Sequence, residues 1–334
     1  MLIKNIKPPQ FRTRSFPVNL KSIDSKLFAN AINVEVKLST TVRLFGAYIL
    51  DDTVFSLKKM KYYCHYTHSN GIGRKKALRL LVNIFKKKNK IDSGIWITDN
   101  FSFAYYHWVV ECLTRLFELD FDEKKYPILL PVKFKNLSYV QQSLHLLGFS
   151  VRYYDTKKPY YVTKLILPSI TARGMSFSIE SLSFQKNVFT NSLVPKNVPF
   201  RKIYITRENS NSRKVLNEHE FVDFFKRYDI EVFNLENLSF IEQVKIFSET
   251  TLLIGPHGAG LANMMYLPKE SIVLEIKNKY DDYWNMFYGM ASDLGHKFFY
   301  ILAEPTTDDT HDSNLMLDKD EFEHVIDQIV TNNL

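Results

Sequence analysis

The sequence predicts an α/β protein made of two doubly wound halves, and three observations predict it. From residue 94 onward, short apolar runs alternate with segments of helical period, the pattern left by parallel strands joined by helices. That alternation lapses over residues 190–200, where Pro195 and Pro199 sit in a stretch of little periodicity, and it restarts at Arg201. The chain has 334 residues, more than one typical domain holds and suited to two. The expected division is therefore 1–195 and 196–334.

Taken in order, residues 1–30 carry few periodic signals and read as an irregular lead-in. Residues 30–68 read as a small β-rich region, with strands at 34–38, 42–45 and 53–57 and Asp51-Asp52 as a turn. The segment from Arg74 to Lys90 turns basic and amphipathic, with Leu78, Leu81, Val82 and Phe85 on one face and lysines or arginines at both ends. It suits an anionic membrane surface or a helix packed on its own domain, and the sequence leaves both open. Next come a strand at 94–99, a helix over 103–119, a strand at 126–131, a helix over 137–147 closed by Gly148, and strands at 151–154 and 165–168. In the second half, 201–207 is a strand with a charged exit. Asn217 and Glu220 read as caps of the helix through Phe224 and Phe225, and 231–233 is a strand. Ser239 with Glu242 reads as a capping box for the helix that ends near Ser248. Strands at 251–254 and 271–276 flank a glycine turn and a short helix. The 318–331 helix puts Phe322, Val325, Ile326 and Ile329 on one face, to close the second half or to pack back on the first. No internal repeat of solenoid length is present.

Composition bounds the function. Apolar residues make up 45% of the chain, enough for large cores. Lys and Arg number 44 against 36 Asp and Glu, a net charge of +8. Such a balance suits nucleotides, nucleic acid or an acidic membrane, or is the mark of the genome's base composition. Cys64 and Cys112 are far apart and lack CxxC spacing, which excludes a disulfide scaffold and a thiolate zinc site and fits a reducing compartment. Residues 1–9 lack the apolar core of a secretory signal, and no stretch approaches the ~20 apolar residues of a span. The expected location is cytoplasmic.

Three groups of polar residues stand out. The first is Ile254-Gly255-Pro256-His257-Gly258-Ala259-Gly260-Leu261-Ala262-Asn263, with Glu275 at the end of the next strand. Three glycines in six residues allow positive φ and close approach to a ligand. A helix starting at Ala259 or Gly260 would aim free N–H groups and a positive dipole end at a phosphate or diphosphate. An ordinary strand-to-helix turn reads the same way. Glu275 suits ribose hydroxyls or a solvated strand end. The spacing is not GxGxxG and no Walker lysine follows, which disfavours nicotinamide and P-loop nucleotides. The second group is Arg207 and Arg213, six residues apart beyond a strand, whose guanidinium groups match phosphate oxygens. The third is His107, Glu111 and Arg115, a polar stripe at four-residue spacing on an apolar helix. It fits a general base with its orienting partner or a surface Glu111–Arg115 ion pair. Asp281-Asp282 and Asp308-Asp309 are not at convincing strand ends, so no metal pair is read.

In this order, three blocks resemble glycosyltransferase family 61, the capsular-polysaccharide type. They are His107-Trp108-Val109-Val110-Glu111; Tyr204-Ile205-Thr206-Arg207 with Arg213 and Asn217-Glu218; and Gly255-Pro256-His257-Gly258-Ala259-Gly260-Leu261 with Val273-Leu274-Glu275-Ile276. The resemblance implies a GT-B fold: two Rossmann-like domains, the first on the acceptor side and the second holding the nucleotide sugar, with the acceptor in the cleft. It implies inverting transfer with no obligatory metal and no cofactor. By position, Arg207, Arg213, His257, Gly258, Ala259, Gly260, Leu261, Asn263 and Glu275 would hold the nucleotide-diphosphate sugar. Glu111 would be the base, at a position where many relatives carry an aspartate, with His107 in reserve. The implied acceptor is a glycan, lipid-linked at the inner membrane face, in surface polysaccharide synthesis. The rivals are a non-enzymatic nucleotide- or nucleic-acid-binding protein and a degenerate transferase serving as scaffold. Clustering of the basic residues between Arg74 and Lys90, away from the motif loops, counts against nucleic acid.

Overall fold

The computed structural model describes residues 2–67, 73–75, 78, 82, 88–193 and 198–331. The chain forms two compact units. The first comprises Met1–Gln10, Val36–Arg173 and Glu180–Gln185; the second comprises Phe11–Glu35, Gly174–Ile179 and Lys186–Leu334. Phe11–Glu35 thus belong to the second unit although they lie far ahead of the proline stretch. That stretch is also shorter than the sequence suggests, because Thr190 to Leu193 complete a helix, Ile179–Leu193.

The first unit is built on one mixed sheet. From one edge its strands run Lys61–Tyr62, Thr53–Ser56, Ser39–Leu50, Tyr160–Pro168, Asn89–Ile95, Ile128–Pro131 and Val151–Tyr154, with Leu2–Lys7 also paired to Ser39–Leu50. The last four in that row are mutually parallel, and Ser39–Leu50 joins them antiparallel to Tyr160–Pro168. Most of the β-rich region expected at 30–68, from Ser39 to Tyr62, is therefore one side of this sheet, whereas its first strand, Asn33–Val36, pairs with Gln10–Thr13. The reason lies in packing: Val42, Leu44, Ala47 and Ile49 share one buried cluster with Ile91, Trp96, Leu129, Val162 and Leu165. The lead-in is not irregular either. It holds the strands Leu2–Lys7 and Gln10–Thr13 and the helix Ser25–Ile32. A four-residue strand in a two-stranded pair, Gln10–Thr13 with Asn33–Val36, leaves little periodicity to read. The helix Ser138–Leu146 ends as expected at Gly148, whose φ of +72° is left-handed and whose N–H donates to His145 O.

The second unit has five parallel strands and one antiparallel edge. The order is Ile230–Phe233, Arg201–Ile205, Thr250–Pro256, Ile272–Asn278, Lys297–Pro305 and Leu315–Met316. Chain order thus reverses between Arg201–Ile205 and Thr250–Pro256, which makes that gap the topological switch point of the sheet. The C-terminal helix Lys319–Thr331 belongs to this unit's own core, where Phe322, Val325, Ile326 and Ile329 join Tyr204, Phe221, Phe224 and Ile254. Ser239 and Glu242 form the expected capping box on Phe240–Ser248. Asn217 does not cap: its amide donates to Leu317 O and its Oδ1 accepts from Leu317 N. Of the basic segment, only Gly73, Arg74, Lys75, Leu78, Val82 and the last three residues are described, so the membrane reading falls largely outside the described residues. Among the described residues, no helix is long and apolar enough to cross a membrane.

Candidate active site

The loops leaving the two strands at the switch point carry the arginines and the glycine turn. Arg207 and Arg213 follow Arg201–Ile205, and His257 to Gly260 follow Thr250–Pro256. The exit is anchored by Glu218, whose carboxylate accepts from Tyr204 Oη at 2.6 Å and from Thr206 Oγ1 at 2.5 Å. The sequence placed Glu218 in the second family block without a contact of its own; the signal for that contact was the alternation that turns Tyr204 and Thr206 to one face. Arg207 donates from Nε and Nη2 to Ser212 O at 3.3 and 3.2 Å. Burial, and next the charge of Arg213, hold the Arg207 guanidinium down to about 10. Burial likewise lowers Arg213, against the pull of Asp312. Arg213 sits at φ 59°, and its buried Nε has no hydrogen-bond partner. Two guanidinium groups depressed by burial, Arg207 by the charge of Arg213 as well, with Asp312 3.9 Å from Arg213 Nε, mark a site with an excess of positive charge, which an anion relieves.

The glycines serve closeness and not a left-handed turn. Among the described glycines, left-handed φ is confined to Gly46, Gly148, Gly174 and Gly295. Gly258 is extended at φ 171°, and a Cβ there would overlap Arg207 Nη1. A short helix starts at Ala259 as expected, but it is a 3-10 helix, Ala259–Tyr266. Ala259 and Gly260 are half-buried, whereas Leu261 and Asn263 are fully enclosed. The Asn263 amide donates to Gln243 Oε1 and Gly260 O, so it braces the loop from behind and does not face a ligand.

Glu275 is neither a solvated strand end nor free for a ribose. It is 0% exposed on the wholly buried strand Ile272–Asn278, and its Oε1 lies 2.5 Å from His257 Nδ1. Phe287, on the helix Met286–Asp293, packs edge-on against the His257 ring at 4.9 Å. Burial lowers the His257 pKa, only partly offset by Glu275. Asp281, weighed above as half of a metal pair, is instead buried against Lys277 Nζ at 2.8 Å.

In the first unit, His107 Nδ1 and Glu111 Oε2 lie 2.7 Å apart, on a π-helical turn, His107–Cys112, that follows Asn89–Ile95. Single π turns recur at functional sites. Burial pushes the His107 pKa down, but the bond to Glu111 and its charge outweigh it and the net shift is upward. Phe101 stacks on the ring at 5.4 Å. Arg115 does not extend the stripe, and the surface ion pair with Glu111 is absent. The side chain is buried and donates to the carbonyls of Ile97, Pro168, Tyr66 and Trp96. The π turn passes into a 3-10 turn, Leu113–Glu118, so the 3.6 period that put residue 115 above residue 111 does not hold.

The family model described as Glycosyltransferase 61 matches residues 105–274, just over half of the chain. The chain belongs to glycosyltransferase family 61. The matched span takes in the His107–Glu111 pair, both arginines and the glycine loop, and stops one residue short of Glu275. The matched span therefore covers polar groups in each unit. The chain is similar to the EGF domain-specific O-linked N-acetylglucosamine transferase of Drosophila melanogaster, 32% identical over 111 residues, covering 32% of this chain and 21% of that one. It is also similar to the enzymes of that name from Canis lupus familiaris and Bos taurus, 33% and 30% identical over 86 residues, covering 24% of this chain and 16% of each of those. The chain spans at most about a fifth of the length of these curated relatives.

Proposed function

We propose that this family 61 chain is an inverting glycosyltransferase that moves a sugar from a nucleotide-diphosphate donor to a glycan acceptor. One observation carries the reading: two half-buried arginines follow one strand at a switch point, and the glycine loop that follows the neighbouring strand holds Gly258 bare against one of them. In this reading Arg207, Arg213 and the first amides of Ala259–Tyr266 take the diphosphate. The acceptor oxygen attacks the anomeric carbon, the bond to the diphosphate breaks with its electron pair, and a base takes the acceptor proton. The chain's own cations then offset the charge that grows on the leaving group.

His107 is the base in this reading, and Glu111 orients it. The side chain of His107 is 32% exposed while that of Glu111 is 9%, so the imidazole is the member that reaches a hydroxyl. The GT-B assignment rests on there being two α/β units, the first taking the acceptor and the second the donor. N-acetylglucosamine is the first sugar to test, because the relatives carry it in their names. A lipid-linked glycan acceptor at the inner face of the membrane, in capsular or other surface polysaccharide synthesis, completes the proposal, with the segment from Arg74 to Lys90 as its membrane contact. Calorimetry of a panel of nucleoside diphosphates and their sugars tests the donor site: Arg207→Ala should abolish measurable binding, and unchanged affinity overturns the assignment. A thermal-shift comparison with single-stranded DNA separates this reading from nucleic-acid binding.

A further inference from the structure

We infer that His257 takes up one proton when the donor diphosphate binds, so that its imidazolium donates from Nε2 to a diphosphate oxygen, and that Glu275 is the positioning residue enabling the uptake. The inference rests on the diphosphate reading of this loop.

The argument begins with which nitrogen is free. Nδ1 is engaged by Glu275 at 2.5 Å, which leaves Nε2 as the nitrogen able to meet a ligand. A neutral ring that donates from Nδ1 presents a lone pair at Nε2, and a lone pair repels an anion. One proton turns that repulsion into a charge-assisted hydrogen bond.

The surroundings set the ring neutral in the free protein and ready to charge. Lys277 lies on the strand of Glu275, and Arg207 and Arg213 come from the loop after Arg201–Ile205. Asp281 follows the Ile272–Asn278 strand, and His311 lines a cavity of about 10 Å³ that Arg213 and His257 share. Phe287 adds an apolar edge. Burial, Lys277 and Arg213 all lower the His257 pKa from its ordinary 6.5, so the free ring is neutral at pH 7. A diphosphate adds negative charge where the free site has an excess of cations. An opposite charge within about 4–6 Å is enough to carry a histidine across neutrality.

Glu275 supplies the rest. Its Oε2 is buried without a hydrogen-bond partner. A buried carboxylate so incompletely hydrogen-bonded is costly unless a positive charge stands beside it. The imidazolium of the liganded state is that charge. The balance is simple: one proton enters from solvent to Nε2 on binding, none moves to the sugar, and the proton leaves with the nucleotide.

The test is calorimetry at pH 7.5 in two buffers of high and low ionisation enthalpy, with UDP-N-acetylglucosamine, GDP-mannose and inorganic pyrophosphate as probes. The sugar nucleotides have no phosphate ionisation near neutrality, so the buffer difference counts protons taken by the protein. For pyrophosphate the His257→Gln variant serves as the subtraction. The wild type should take up between half and one proton, and affinity should fall up to tenfold per pH unit as pH rises to the liganded pKa. His257→Gln should take up none. In Glu275→Gln, which keeps an acceptor for Nδ1–H but loses the charge, the fall in affinity should begin at lower pH. Equal heats in both buffers for the wild type, or uptake unchanged in His257→Gln, overturn the inference and leave the diphosphate site standing. Should His257→Gln not fold, an unshifted profile in Glu275→Gln overturns it as well. Binding of none of the probes at any pH overturns the diphosphate reading and the inference with it.

Discussion

Gly258→Ala separates a loop that merely turns from one that must lie flat on a guanidinium. At φ 171° the backbone is extended, so alanine brings no torsional strain. Its Cβ, however, would overlap Arg207 Nη1 and lie 3.1 Å from Cζ and 3.6 Å from Cδ. The guanidinium ends a flexible side chain and can swing aside, at the loss of its two long bonds to Ser212 O. That loss is about 1 kcal/mol, and removing a glycine from the unfolded chain returns about 0.4–1 kcal/mol. Stability should therefore change by less than about 1 kcal/mol, a few degrees in Tm. Binding should suffer much more. A charge-assisted phosphate contact contributes about 1.5–3 kcal/mol, or roughly 10- to 150-fold in affinity. Titration calorimetry with the tightest nucleotide sugar, run beside a thermal melt, reads both. Gly260→Ala is the contrast, because its Cβ would press on Leu235 Cδ1 at 3.0 Å and Ile205 Cγ2 at 3.3 Å. That is apolar overpacking, expected to cost about 1–3 kcal/mol of stability without moving a guanidinium. Wild-type affinity in Gly258→Ala, or a stability loss matching that of Gly260→Ala, would refute the reasoning.

Other outcomes follow from the first unit. Glu111→Gln should leave donor affinity intact and lower turnover by about 10²- to 10⁴-fold, measured as kcat at saturating donor. The pH dependence has a definite sign. Because the folded His107 pKa is raised, the pair's contribution to stability is full below the ordinary histidine pKa and is lost as pH rises through the raised value. Activity runs the other way, since the base must be free, so kcat/KM should climb through that raised pKa. In Glu111→Gln the climb should move to lower pH, and a limb that stays in place assigns it to another group. Arg115→Ala should cost about 3 kcal/mol or more in urea unfolding, because the carbonyls of Ile97 and Pro168 then lie buried without a donor; a surface arginine would cost almost nothing.

What could be read in advance divides by the range of the forces involved. Ser239 with Glu242, Gly148 and the apolar face of Lys319–Thr331 were legible because capping, left-handed φ and helical period act over four or five residues. The union of Ser39–Leu50 with Tyr160–Pro168 was not, since pairing across more than a hundred residues leaves no local mark. The site shows the same division. The motif residues identify the loops, but the spacing of His257 and Glu275 says nothing of their contact, which depends on Thr250–Pro256 and Ile272–Asn278 lying side by side with Gly255 level with Glu275. Arg115 misled because the four-residue rule presumes one helical period, and here π and 3-10 turns follow each other.

The two histidine–carboxylate pairs resemble each other in sequence less than in physics, and their differences argue for different work. His107 is partly exposed, and its carboxylate overcomes burial to raise its pKa, so the ring can take up a proton and return it to solvent. His257 is enclosed, and its carboxylate fails to overcome burial and two nearby cations, so it is neutral until an anion arrives. A group whose protonation follows solvent suits the acceptor hydroxyl, whose proton must be carried away. One whose protonation follows a ligand suits the diphosphate, where positive charge is wanted only while phosphate is present. Exchanging the environments would spoil both: a permanently charged residue at 257 would add one more cation to a free site that already holds Lys277, Arg207 and Arg213. His257→Lys should accordingly lose stability in the free protein and regain much of it on saturation with nucleotide diphosphate, a gap that thermal melts with and without ligand measure directly.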